Sequence, residues 1–225
     1  MINRTRGKGA FDTVVRTKTW NDPIRWQKQA ERDGLCDLVF TCSLSDFFIQ
    51  QADEWRPEIW SIIRRTPNMI YQILTKRPEL IAKRLPPDWG SGYRNVWLGT
   101  SIGMKKHLRA LDALRDVPAY VRFISAEPLL ENLMPEFDQS LTGYSWCIIG
   151  GESGNNTKNF RPMDHQWVRE MFAACKRRKV ARFFKQSAAV RTEMGVELDG
   201  RLVREYPKQY DDYRDLIRKS TLSFT

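Results

Sequence analysis

The chain has only two histidines and four cysteines, and no two cysteines share a Cys-x-x-Cys spacing. Cys36, Cys42, Cys147 and Cys175 therefore spell neither a zinc site nor a redox pair. Cys42 and Cys147 fall in predicted strands and Cys175 on an apolar helix stripe, where burial as small hydrophobes is expected. His107 lies on an exposed helix face and His165 in a first helical turn, positions that suit structural or solvent-facing roles. No apolar run approaches the ~20 residues of a membrane span, and no signal-peptide core follows Met1-Ile-Asn-Arg-Thr-Arg6. The expected location is cytoplasmic, with no membrane partner. A low-complexity linker is also missing, so one domain is expected: a lead-in over 1–30, a sheet-and-helix body over 36–190 and a hairpin-and-helix extension over 191–225. The dinucleotide fingerprint is absent, because Gly150-Gly-Glu-Ser-Gly154 has other spacing and follows the fifth predicted strand, not the first.

What remains is a chain of 225 residues, 41% hydrophobic and 12% aromatic, which is no disordered segment. Its 37 Lys and Arg outweigh 27 Asp and Glu, a formal charge of +10 that favours polyanionic partners such as nucleic acid or nucleotides. The densest basic run is Arg169 to Lys185; a solvated helix end, where cations suit the helix dipole, explains it as well.

Six short apolar segments recur: Leu38–Cys42, Met69–Leu74, Val96–Gly99, Tyr120–Ile124, Trp146–Gly150 and Val180–Phe184. Continuous apolar runs are the mark of strands buried on both faces. Their starts are spaced by roughly 25–35 residues, which suits strand–helix units with right-handed crossovers. Helical stripes fill the gaps: Trp55/Ile59/Ile62/Ile63, then Leu108/Leu111/Leu114, then Trp167/Met171/Cys175 behind an Asp164 cap. Pro78 opens a short predicted helix through Leu85. Small, hydroxyl-bearing or charged residues follow each strand, as the active-site end of a barrel requires. The expected fold class is α/β, a partial (β/α) barrel of about six parallel strands in sequence order.

Six motifs in order carry a family resemblance: Phe40-Thr-Cys-Ser-Leu-Ser-Asp46, Leu74-Thr-Lys-Arg-Pro78, Asn95-Val-Trp-Leu-Gly-Thr-Ser101, Arg122-Phe-Ile-Ser-Ala-Glu-Pro-Leu129, Trp146-Cys-Ile-Ile-Gly-Gly-Glu-Ser-Gly154 and Phe184-Lys-Gln186. The chain resembles the phage gp-thirty-seven/gp-sixty-eight family from about Trp20 to Gln186. That resemblance implies a radical-SAM-like barrel, whose first strand is followed by a three-cysteine loop holding an iron–sulfur cluster beside S-adenosylmethionine. The first strand predicted here corresponds to the family's second. The cluster cysteines and first strand are thus expected to be absent from this chain, and Ile2-Asn-Arg-Thr-Arg-Gly-Lys8 reads as the middle of a helix. An unpaired first strand would invite self-association.

Glu127 and Glu152 follow the fourth and fifth strands and could face each other for acid–base work, with Lys185 as a third catalytic candidate. Each glutamate could equally cap a neighbouring helix or pair with Arg77 or Lys185. For cofactor binding the candidates are Ser43 and Asp46, Lys76, Thr100 and Ser101, and the turn of Gly150, Gly151 and Ser153. Ser43 and Asp46 stand where radical-SAM proteins carry Gly-Gly-Glu, while Gly150 and Gly151 would let backbone amides approach an anion. No metal ligands are assigned. The resemblance and the charge together lead to nucleotide or nucleic-acid modification. Two other readings stay open: a cluster-free binding module, and a metal-independent barrel lyase or hydrolase using Glu127 and Glu152.

Overall fold

The computed structural model describes residues 2–4, 14–43, 45–154, 156 and 158–222. In chain order the elements are β1 (Ile2–Arg4), β2 (Val14–Arg16), α1 (Asp22–Asp33), β3 (Asp37–Thr41), α2 (Arg56–Arg64), β4 (Met69–Thr75), β5 (Val96–Ile102) and α3 (Arg109–Arg115). They continue with β6 (Val121–Ala126), α4 (Glu136–Ser140), β7 (Trp146–Gly150), α5 (His165–Arg177), β8 (Ala181–Gln186) and α6 (Lys208–Leu222). Strands β3 to β8 form one six-stranded sheet whose spatial order is the sequence order. The pairs β3–β4, β6–β7 and β7–β8 are parallel. A doubly wound sheet reverses direction at a switch point; this order never reverses and is the winding of a half-barrel.

Burial explains why the strands read as they do. Every residue of β5 except Ser101 is buried, and β4 is nearly as enclosed. Terminal strand β3 alternates instead, with Val39 and Thr41 buried but Asp37 and Phe40 exposed. Four of the six strands run past the apolar segment into its polar tail: Thr75, Thr100, Ser125 and Gln186 are strand residues and all are buried. Ile2–Arg4, read from sequence as helix, pairs antiparallel with Val14–Arg16; residues 5–8 lie outside the described residues. The helix expected from Pro78 is two 3₁₀ turns, Pro78–Leu80 and Ala82–Arg84. Leu44, Asn155 and Thr157, which fall in predicted loops, also lie outside the described residues. Among the described residues no helix is long and apolar enough to cross a membrane.

The chain packs as two compact units. The first comprises Met1–Leu98, Val117–Tyr120 and Gln209–Thr225; the second comprises Gly99–Asp116 and Val121–Lys208. In the first, α2 begins with Pro57 in its opening turn and buries Trp60, Ile62 and Ile63. Trp60 stacks into a run of rings, 5.1 Å from Phe47 and 5.4 Å from Trp89, with Tyr93 4.9 Å beyond. Asn68 and Gln27 exchange hydrogen bonds at 2.8 and 2.9 Å, which ties α1 to the turn before β4.

In the second unit, Asp164 caps α5 by accepting from the Gln166 backbone N–H at 2.8 Å, and Val168, Met171, Phe172 and Cys175 are buried. The free side of β8 is covered by the chain after it. Phe184 N–H donates to the Val203 carbonyl at 2.7 Å and Glu205 N–H to the Arg182 carbonyl at 2.8 Å. Trp146 fastens the same segment through its indole N–H, 2.8 Å from the Glu205 carbonyl.

Candidate functional site

In the second unit Lys185, Ser101 and Gly150 approach Glu127. Three hydrogen bonds set the backbone from Glu127 to Leu130: Ser101 Oγ donates to the Glu127 carbonyl at 3.3 Å, Leu129 N–H to the Gly150 carbonyl at 2.9 Å and Leu130 N–H to the Gly103 carbonyl at 3.0 Å. Along β8, Phe184 and Gln186 are buried and Lys185 between them faces the other way, as strand alternation requires. The Lys185 ammonium donates to both oxygens of Glu127, at 2.7 and 2.9 Å. Both side chains keep part of their surface in water, 42% for Lys185 and 24% for Glu127. Pairs this wet contribute at most about 1 kcal/mol, so a charged ligand can replace either partner cheaply.

Glu152 is committed elsewhere. Arg161 donates to its Oε2 from the backbone N–H at 2.8 Å and from Nε at 2.9 Å, and Arg161 Nη2 contacts the other oxygen. These bonds hold the Glu152 carboxyl down at about 2, with the Arg161 side chain the larger cause and its backbone N–H the second. A group that acidic stays ionised at neutral pH and cannot supply a proton.

The glycine turn is spent in a similar way. Gly151 N–H donates to the Gln186 carbonyl at 2.9 Å, and Gln186 Nε2 returns a bond to the Gly151 carbonyl at 3.1 Å. Ala189 N–H bonds the Glu152 carbonyl at 3.0 Å, and Ser153 bridges to Ala189, so β7–β8 pairing carries on past the strands. Gly151 is thus a close-packing residue: a Cβ there would run into the Ala188 backbone. Thr100, a candidate for cofactor contact, lies inside β5 with no exposed surface.

The remaining candidates belong to the first unit. Asp46 accepts from the Thr75 hydroxyl at 2.8 and 2.9 Å, from Phe48 N–H at 2.9 Å and from Lys76 N–H at 3.2 Å. Arg77 lies 3.8 Å away. Asp46 therefore staples the loop after β3 to the end of β4. Ser43 and the Lys76 side chain are exposed. Cys42, at the end of the first apolar segment, sits past β3 with φ +56, a left-handed conformation uncommon for a residue with a Cβ.

Two residues that matter locally carry no signal in sequence spacing. Arg161 finds Glu152 nine positions back. His165 Nε2 sits 2.9 Å from the Ser187 hydroxyl, which also donates to the Gly195 carbonyl at 3.0 Å, and its ring packs edge-on to Phe184 at 5.8 Å. Here the histidine ties α5 to the segment after β8.

The model of a family described as "Protein of unknown function (DUF5131)" matches residues 3–207. The chain belongs to the DUF5131 family. No curated protein and no solved structure matches it. The cluster that the radical-SAM resemblance implies does not fit the cysteines of this DUF5131 chain. All four are buried as free thiols. Burial pushes Cys36 up to about 12, with the Asp37 charge adding to it. Cys147 is raised by its hydrogen bond with Cys175 and by burial. Cluster ligands must be thiolates. Among the described residues no group of three or more His, Cys, Asp or Glu side chains could hold a metal ion.

Proposed function

We propose that this DUF5131 protein acts on a nucleotide, free or within a nucleic acid, at the C-terminal ends of the strands in its second unit. Lys185 takes an anionic group of the ligand and Glu127 takes an amine or hydroxyl. The observation that carries this reading is the Lys185–Glu127 pair itself: two opposite charges held 2.7 Å apart, partly in water, just past β6 and at the end of β8. It presents both halves of the recognition chemistry that a nucleotide needs, and the surplus of basic residues favours the same ligand class. The six strand motifs and the sequence-order sheet support a radical-SAM-like phage scaffold. The buried cysteines supply no cluster chemistry to it. A lyase or hydrolase built on Glu127 with Glu152 is disfavoured, because three Arg161 donors already occupy the Glu152 carboxylate.

The test is fluorescence polarisation with a labelled single-stranded oligonucleotide and competition by AMP, followed by mass spectrometry of the recovered nucleosides. Saturable binding weakened at least about tenfold by Lys185→Ala and by Glu127→Ala is expected. Equal affinity of wild type and both variants would sink the assignment. Binding without any altered nucleoside would reduce the protein to a binding module.

A further inference from the structure

The first unit contains a groove of about 450 Å3 between one face of α2 and the segment Lys83–Pro87. That volume falls within the range of small-molecule sites, and its charge is lopsided. Arg56, Arg64, Lys83 and Arg84 line it against one lining carboxylate, Asp53. Asp53 is already shared, accepting from Arg56 at 2.6 Å and from Arg84 at 2.8 and 3.1 Å. Arg64 is held by Asp88 at 2.9 Å. Counting both carboxylates, the groove keeps a surplus of two positive charges, and Lys83 has no ion-pair partner among the described residues.

Arg56 shows how crowded the cations are. Its side chain is 5% exposed, and it donates to the Phe47 and Ile49 carbonyls at 2.6 and 2.8 Å besides Asp53. Burial lowers its proton affinity most and the Asp53 charge opposes that, while the neighbouring Arg84 charge lowers it further. A concave wall with unneutralised cations concentrates positive potential and draws in anions. Pro57, Trp60, Leu85, Pro86 and Pro87 supply the apolar part of the lining.

We propose that this groove is a second ligand site, separate from Lys185 and Glu127, which takes a small phosphate-bearing molecule of nucleotide size. The phosphate sits at Lys83 and Arg64, and the apolar part lies against Pro57, Pro86 and Pro87. Arg56 and Arg84, anchored by Asp53, hold the groove open.

Isothermal titration of the full chain with ADP, and separately with inorganic phosphate, tests it. Lys83→Ala and Arg64→Ala should each weaken ADP binding at least about tenfold, since both positions are on the surface and neither should unfold the chain. Phosphate should compete, and added salt should weaken binding. Lys185→Ala must leave this equivalent of ADP in place, so failure here and failure of the strand-end site are separable. Two results overturn the proposal. One is the absence of ADP binding that survives in Lys185→Ala but is lost in Lys83→Ala. The other is a groove that takes an oligonucleotide through Lys83 while ignoring ADP.

Discussion

Lys185 on β8 and Glu127 beyond β6 are joined by two short hydrogen bonds although β7 runs between their strands, and Gly150 closes β7 beside them. A Cβ on Gly150 would stand 3.3 Å from both Cγ and Cδ of Glu127, closer than ordinary packing. Gly150→Ala should therefore shift the glutamate by a few tenths of an ångström and strain its pairing with the lysine. The expected cost is on the order of 1 kcal/mol of stability, as for mild overpacking, with a several-fold loss of nucleotide affinity. Denaturant melts and polarisation titrations of the same sample check both. Unchanged affinity would separate the ion pair from ligand binding.

Glu152 carries a pH signature. Its folded pKa, about 2, lies below the ordinary 4.5 because of Arg161. A depressed carboxyl stabilises the fold fully above the ordinary value, and that contribution fades as pH falls from about 4.5 through about 2. Carbon-detected NMR titration should find Glu152 still ionised near pH 3. Arg161→Met should return it toward the usual carboxylate range. Because Arg161 donors occupy its carboxylate, Glu152→Gln should leave activity at pH 7 largely intact; a collapse of turnover in that variant would restore it as a catalytic acid or base.

The six strands were legible because both faces of most are covered, which leaves Val, Ile, Trp and Phe in unbroken runs such as Val96-Trp-Leu98. Their C-terminal limits were not. Thr100, Ser125 and Gln186 look like loop residues by composition, yet they sit buried in the sheet. The candidate site was half legible. Placing Glu127 and Lys185 past or at strand ends follows from the pattern, and their pairing was one of the plain alternatives. Glu152's partner was not foreseeable, since Arg161 lies on an irregular segment whose path is set by tertiary bonds. Asp46 reads as a ligand-binding residue in sequence but serves as a hydrogen-bond hub, because only the fold brings Thr75 and Lys76 to it.

Lys179 closes α5 in a left-handed conformation, φ +59, where glycine is the usual choice. The Val180 N–H reaches back to the Cys175 carbonyl at 2.9 Å, so the chain needs this turn. A lysine there costs about 1–2 kcal/mol in backbone strain, part of which glycine returns as unfolded-state entropy. Lys179→Gly should stabilise the protein by about 0.5–1 kcal/mol in urea unfolding. If oligonucleotide affinity falls at the same time, the charge at the end of α5 contacts the polyanion.

The two outer strands of the sheet are finished differently, and this sets the last expectation. Beside β8, the Val203–Glu205 segment supplies partners for backbone groups that would otherwise face outward. Strand β3 pairs with β4 alone among the described strands, and Phe40, its next-to-last residue, is 48% exposed. An open edge with a large apolar side chain is a template for another strand. The wild-type chain should self-associate as concentration rises, with Phe40 at the junction. Phe40→Lys places a charge where an added strand would lie. Since Phe40 is already half in water, that change should shift folding stability by no more than about 0.5 kcal/mol. Sedimentation velocity across a wide concentration range decides the matter: association in wild type that disappears in Phe40→Lys assigns the contact to β3. Two proteins that stay monomeric alike would show that this edge is not sticky.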